Sequence, residues 1–176
     1  MKAAPALQGL VFAVHPYTRG FGWVLFESPL APADWGIFEA KKDRYARCLA
    51  RIEQILDRYE PSVLVLEQFD RRPARRGARI KALCAAMLHL AANRGAETSV
   101  YNRAVIRTCF ASVGARTRYE IAKVIALHVQ ALRRHLPPVR KAWQSEDSRQ
   151  CLFDAAALAM THFAVSGDPP SLSING

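Results

Sequence analysis

The chain has 176 residues, enough for one domain with a single sizeable core, and its 51% hydrophobic content excludes a disordered polymer. No apolar run is long enough to span a bilayer, and the opening residues Met1-Lys2-Ala3-Ala4-Pro5 lack the apolar stretch expected of a signal peptide. A formal charge of +10, with 25 Lys and Arg, and an isoelectric point near 10.0 point to a polyanionic partner, nucleic acid before an anionic membrane surface.

In chain order, Leu10–Val14 reads as a strand with His15 at its end, and His15-Pro16-Tyr17-Thr18-Arg19-Gly20 as a tight turn. Phe21–Glu27 is the return strand, Pro29-Leu30-Ala31-Pro32 a second turn and Trp35–Ala40 a third strand, a spacing that suits an antiparallel meander. Tyr45, Leu49, Ile52, Ile55, Leu56 and Tyr59 recur at helical spacing, and Pro61 ends that helix. Ser62–Leu66 is the fourth strand, closed by Glu67-Gln68. The arginine-rich run from Asp70 to Lys81, with Pro73 and Gly77, reads either as a mobile loop that orders on binding or as a solvated charge run. A second helix buries Ile80, Leu83, Cys84, Met87, Leu88 and Ala91, and Thr98–Tyr101 is the fifth strand.

A short helix is expected over Arg103 to Ala111. Thr117-Arg118-Tyr119-Glu120 is a capping box opening a helix whose buried face is Ile121, Val124, Ile125, His128, Val129 and Leu132, ended by Pro137-Pro138. The last helix runs from Asp147 or Ser148 to Phe163, and small residues around Asp154 let it approach the sheet closely. Strand and helix order predicts an α/β domain over residues 1–165: a mixed sheet, three strands antiparallel and two parallel, with helices on its faces. Residues 166–176 are expected to be a flexible tail. Cys48, Cys84, Cys109 and Cys151 have no zinc-site spacing and are expected to be reduced thiols, as in a cytoplasmic protein.

In such sheets reactive groups collect at strand ends where connections diverge. His15, Glu67 and Asp154 fall at such places. A carboxylate on an otherwise apolar helix, as Asp154 is, needs a partner or a metal. Glu67 also fits a strand's exit into water, His15 a turn histidine, and Asp147 either a helix cap or a residue sharing the face of Asp154.

The ordered set resembles the RuvC-type Holliday-junction resolvases of the RNase H-like superfamily. The family's opening strand followed by Asp-Pro-Gly-Ser-Arg is similar to His15-Pro16-Tyr17-Thr18-Arg19, with Asp replaced by His and one residue omitted. Its Glu-Gln after an apolar strand matches Glu67-Gln68. Its final helix, with two carboxylates three residues apart, then Ala-Leu-Ala and Thr-His, matches Asp154 and Thr161-His162 but has Cys151 at the first acidic place.

The resemblance implies an RNase H-like sheet and a structure-selective endonuclease cleaving branched DNA or a related nucleic acid. It implies divalent metal, Mg²⁺ or Mn²⁺, on Glu67 and Asp154, with His15 as ligand or general base and Asp147 as a compensating ligand. Arg71, Arg72, Arg75, Arg76, Arg79 and Lys81, with Arg116 and Arg118, would grip phosphates. Tyr17 and Phe69 either stack on bases or pack. A homodimer matches a two-fold junction, with the second helix as interface. The two departures, His15 and Cys151, equally fit a domain that has stopped cutting and binds nucleic acid alone or within a larger nucleoprotein complex.

Overall fold

The computed structural model describes residues 9–69 and 75–173. Strands β1 (Val11–Tyr17), β2 (Gly20–Ser28), β3 (Ala31–Glu39), β4 (Val63–Glu67) and β5 (Glu97–Tyr101) form one sheet in the order β3-β2-β1-β4-β5. β1, β2 and β3 pair antiparallel, whereas β1, β4 and β5 run parallel. The helices are α1 (Arg44–Tyr59), α2 (Arg75–Asn93), α3 (Arg103–Phe110), α4 (Arg118–His128), α5 (Gln130–Arg133) and α6 (Gln150–Val165).

Side-chain alternation divides the core in two. Phe12 and Val14, Trp23 and Leu25, and Leu64 and Leu66 pack against α1 and α2 on one face. Val11 and Ala13, Val24 and Phe26, and Val63 and Val65 pack against α4 and α6 on the other. The same parity sends His15 and Glu67 to the α6 face. α6 is buried on all sides from Gln150 to Phe163, as its near-continuous apolar sequence requires. It lies across β1 and β2, where Gly22 faces the helix backbone without a side chain between.

Several expectations need correction. β1 continues through His15, Pro16 and Tyr17, which pair with Gly22, Phe21 and Gly20, so the turn is only Thr18-Arg19. β1 has no β4 partner beyond Val14, so Pro16 sits where a missing N–H is tolerated. β3 begins at Ala31, which shortens the preceding turn to Pro29-Leu30. α2 begins at Arg75, so Gly77, Arg79 and Lys81 are helical rather than in a loop. Good helix formers around Gly77 outweigh its cost of about 1 kcal/mol. Asp70, Arg71, Arg72 and Pro73 lie outside the described residues, as do the side chains of Arg75 and Arg76.

The capping box forms as expected. Glu120 N–H donates to Thr117 Oγ1 at 3.2 Å, and Thr117 N–H donates to Glu120 Oε2 at 2.9 Å. That helix is interrupted at Val129, whose φ of −110° and ψ of 86° end α4 one residue before α5. His128 is therefore half-buried, and its Nε2 meets the Ser173 backbone. Leu172 packs against the core beside it. No helix among the described residues is long and apolar enough to cross a membrane.

The Thr-His pair near the end of α6 is structural. Thr161 Oγ1 donates to the Ala157 carbonyl at 2.7 Å, and His162 Nδ1 pairs with the Tyr101 hydroxyl at 2.9 Å. Burial depresses the imidazole's affinity for a proton, outweighing a weaker opposite pull from Glu97. The unfolded chain therefore takes up a proton below about pH 6.5 before the folded chain does, and stability falls as pH drops through that range. His162→Gln is expected to flatten this loss, as read by urea unfolding at about pH 7.5 and about pH 5. An unchanged pH slope would assign the loss to another group.

Candidate functional site

Three elements bring the candidate residues together. His15 extends from β1 beyond its last β4 contact, Glu67 ends β4, and Asp154 sits one turn into α6. His15 Nδ1 lies 3.2 Å from Glu67 Oε2, and His15 Nε2 lies 3.6 Å from Asp154 Oδ2. All three are buried, with Asp154 only 4% exposed. The contact with Glu67 is not an aligned hydrogen bond, so His15 Nδ1 is a buried nitrogen without a hydrogen-bond partner. The Phe69 ring packs 6.1 Å from the imidazole, centroid to centroid, and is half-buried against the core.

Two arginines complete the cluster. Arg118 places Nε 3.1 Å from Asp154 Oδ1, its second nitrogen on Oδ2, and its third on Glu146. Arg103, the first residue of α3, donates a terminal nitrogen to Glu67 Oε2 at 3.2 Å, holds its Nε 3.2 Å from Oε1 as an ion pair, and reaches within 4.0 Å of Asp154. Asn102 caps α3 by accepting from Val105 N–H at 3.0 Å, which aims the helix start at the end of β4. Arg103 was absent from the sequence-based set. Its signal was position: an arginine directly after a cap, on the helix that leaves the strand beside Glu67.

Burial raises the Asp154 pKa, but the His15 ring and the Arg118 guanidinium outweigh it and hold the carboxyl below its usual range. Arg118 is correspondingly held charged against its own burial. Gln150 Nε2 adds a contact to Asp154 Oδ1 at 3.4 Å. Cys151 Sγ donates to the Ser148 carbonyl at 2.6 Å, and burial pushes its pKa up. A protonated thiol bonded to backbone supplies no negative charge where the resemblance implies a fourth acid.

Asp147 does not share a helical face with Asp154, because α6 begins only at Gln150. Its carboxylate instead accepts from Arg149, through the backbone N–H at 2.9 Å and the guanidinium at 2.6 Å. Nearby, a cleft of about 440 Å³ is lined by His15, Tyr17, Arg118, Glu146, Asp147 and Cys151 among others. Tyr17 donates its hydroxyl to Glu39 at its rim. Arg79, with Lys41 and Arg44, lines an adjoining hollow, and Lys81 lines another with Glu67 and Arg103. Ile80 of α2 borders all three. The Arg116 side chain stays exposed, while Arg118 is drawn inward.

The donor set is two carboxylates and one imidazole. Its atoms face one another and the guanidinium groups, and no three His, Cys, Asp or Glu side chains among the described residues surround a common point. The set offers the oxygen and imidazole donors that a divalent cation of intermediate softness takes, but as arranged it does not surround one. It lacks the further bridging carboxylate that suits a pair of hard ions.

No family model matches the chain, and no curated protein matches it in sequence. Solved structures do match. Thermus thermophilus RuvC is 21% identical, with a TM-score of 0.65 over 90% of this chain and 97% of that one. RuvC of T. thermophilus in complex with a Holliday junction substrate gives 20% and 0.63, over 90% and 96%. The yeast mitochondrial Holliday junction resolvase Ydc2 is 11% identical with a TM-score of 0.62, over 95% of this chain and 83% of that chain. The fold is the RNase H-like fold of these resolvases.

Proposed function

We propose that this chain is an endonuclease for branched DNA that uses a divalent metal ion at His15, Glu67 and Asp154. The observation that carries this is the convergence of an imidazole and two buried carboxylates at the strand ends, beside an open cleft. Burying two carboxylates with their arginines is a poor way to stabilise a core, because apolar residues of similar volume do as well or better. The resolvase fold and the charge of +10 support a branched nucleic acid as substrate.

Glu67, Asp154 and His15 would hold the ion, with manganese favoured over magnesium by the imidazole. A bound divalent ion supplies Lewis acidity and lowers the pKa of its water. In the free protein Arg103 and Arg118 neutralise the two carboxylates. Phosphates compete for guanidinium with the same bidentate geometry, so a bound strand draws both arginines outward and frees the carboxylate oxygens. Arg79 and Lys81, in the two hollows beside the cleft, hold flanking phosphates.

A second reading has its own support: both carboxylates are already charge-balanced, and Cys151 is a neutral thiol. On that reading the domain grips branched nucleic acid without cutting it. Incubating the chain with four-way junctions, flaps, duplex and RNA hybrids in Mg²⁺ or Mn²⁺ separates the two. The nuclease reading expects metal-stimulated cleavage that a chelator stops. Salt-sensitive binding without cleavage selects the second reading, and His15→Asp then shows whether a single ligand is what the site lacks. A homodimer, suited to paired cuts in a two-fold junction, is part of the proposal and is tested by analytical ultracentrifugation with and without DNA.

A further inference from the structure

We infer that the segment from Val139 to Gln144 is a base-stacking arm of the cleft, with the Trp143 indole as its platform. The inference rests on the nucleic-acid reading above. Trp143 is 79% exposed and Val139 is 70% exposed, the two most exposed large hydrophobic residues among those described. Trp23, by contrast, is buried in the core, and Trp35 is partly buried with its indole N–H directed at His135. An indole normally buries a large apolar surface, so leaving one in water is unfavourable without a partner.

The segment is built as a compact turn rather than left loose. Gln144 N–H donates to the Lys141 carbonyl at 3.0 Å, Lys141 N–H to Gln144 Oε1 at 3.0 Å, and Arg140 Nε to the Gln144 carbonyl at 2.6 Å. Lys141 holds its ammonium 5.4 Å from the Trp143 ring centre. Its flexible stem lets that charge move to a phosphate and leave the ring face to a base. Arg140 and Lys141 thus put positive charge in the same turn as an exposed aromatic plane, the combination that binds single strands without sequence preference.

The arm is continuous with the site. Ser145, Glu146, Asp147 and Ser148 line the same cleft as His15, and Trp143 precedes Ser145 by two residues, at most about 7 Å of backbone. Glu146 also takes the Arg118 guanidinium that grips Asp154, so the arm's base is tied to the centre itself. A nucleotide unpaired at a branch and stacked on Trp143 would hold its strand against the cleft mouth.

The test uses the full chain and a junction with unpaired nucleotides at its branch. Wild-type tryptophan emission is expected to quench on binding, and Trp143→Ala to lose most of that quench with its melting temperature unchanged. Affinity should fall about 5- to 150-fold in Trp143→Ala, with Trp143→Phe recovering most of it. Abasic nucleotides at the branch should weaken the wild type by the same factor and the alanine variant no further. Unchanged affinity and quench in Trp143→Ala, with salt-sensitive binding intact, would overturn the stacking role and leave the nucleic-acid reading standing. If the wild type binds no branched or single-stranded nucleic acid, both fall together.

Discussion

Asp154→Asn is expected to lower metal-stimulated cleavage by about three orders of magnitude or more, the scale on which single members of a catalytic constellation act. Glu67→Gln should do the same. Both replacements keep shape and remove only charge, and each acid has a specific role at the centre: Glu67 faces His15 Nδ1 and Asp154 faces Nε2. Junction affinity should hold or rise, because a negative charge beside the phosphate path is gone. The fold should survive. Arg118 keeps Glu146 as a partner and is about a third exposed, so it can rehydrate. The loss of stability should therefore stay below the ~3–5 kcal/mol of a broken fully buried pair. Gel-resolved cleavage, anisotropy binding and thermal unfolding read the three quantities separately. Full cleavage in either variant would remove its acid from the chemistry.

Gly22→Ala is the second large effect expected, and it tests how the site is assembled. A Cβ at Gly22 would lie 2.5 Å from the Cys151 carbonyl carbon and oxygen and 2.6 Å from Leu152 N. These are backbone atoms of α6, which no rotamer change can clear. Overpacking of this kind costs about 1–3 kcal/mol. For a chain of this size that corresponds to a fall in melting temperature of roughly 2–12 °C. Gly22 pairs with His15 in the sheet, and the helix it would push away carries Asp154. A shift of about 1 Å between reacting groups costs on the order of a hundredfold in rate. Gly77→Ala is the matched control. Its Cβ meets nothing within 4 Å among the described residues, so it should stabilise the protein by about 0.5–1 kcal/mol. An unchanged melting temperature in Gly22→Ala would show that β2 and α6 are free to adjust.

The parts read correctly from sequence share a local cause. The meander followed by two parallel strands is written in short β-branched and aromatic runs separated by turns or by helices of recognisable period. The Thr117–Glu120 capping box is equally local, being two hydrogen bonds within four residues. The errors came where local signals conflicted. Arginines, Pro73 and Gly77 masked the start of α2, and an unbroken apolar pattern hid the break at Val129. Asp147 had a helix-face spacing that held only if α6 began earlier than it does.

The sequence by itself determined which face of the sheet His15 and Glu67 would occupy. A period of two leaves no choice once Val11, Ala13, Val63 and Val65 are placed inward against the helices. It also marked Asp154 as a carboxylate that needs a partner. Only the tertiary structure decided what that partner is. Arg103 and Arg118 stand 36 residues from Glu67 and Asp154 respectively, on helices whose starts are aimed by the ends of other elements. Ion pairing across such separations depends on how strands and helices are stacked, which no local pattern encodes. The replacement of an aspartate by His15 was legible from the residues alone. That the acids beside it are held by two guanidinium groups was a consequence of packing α3, α4 and α6 around one strand end.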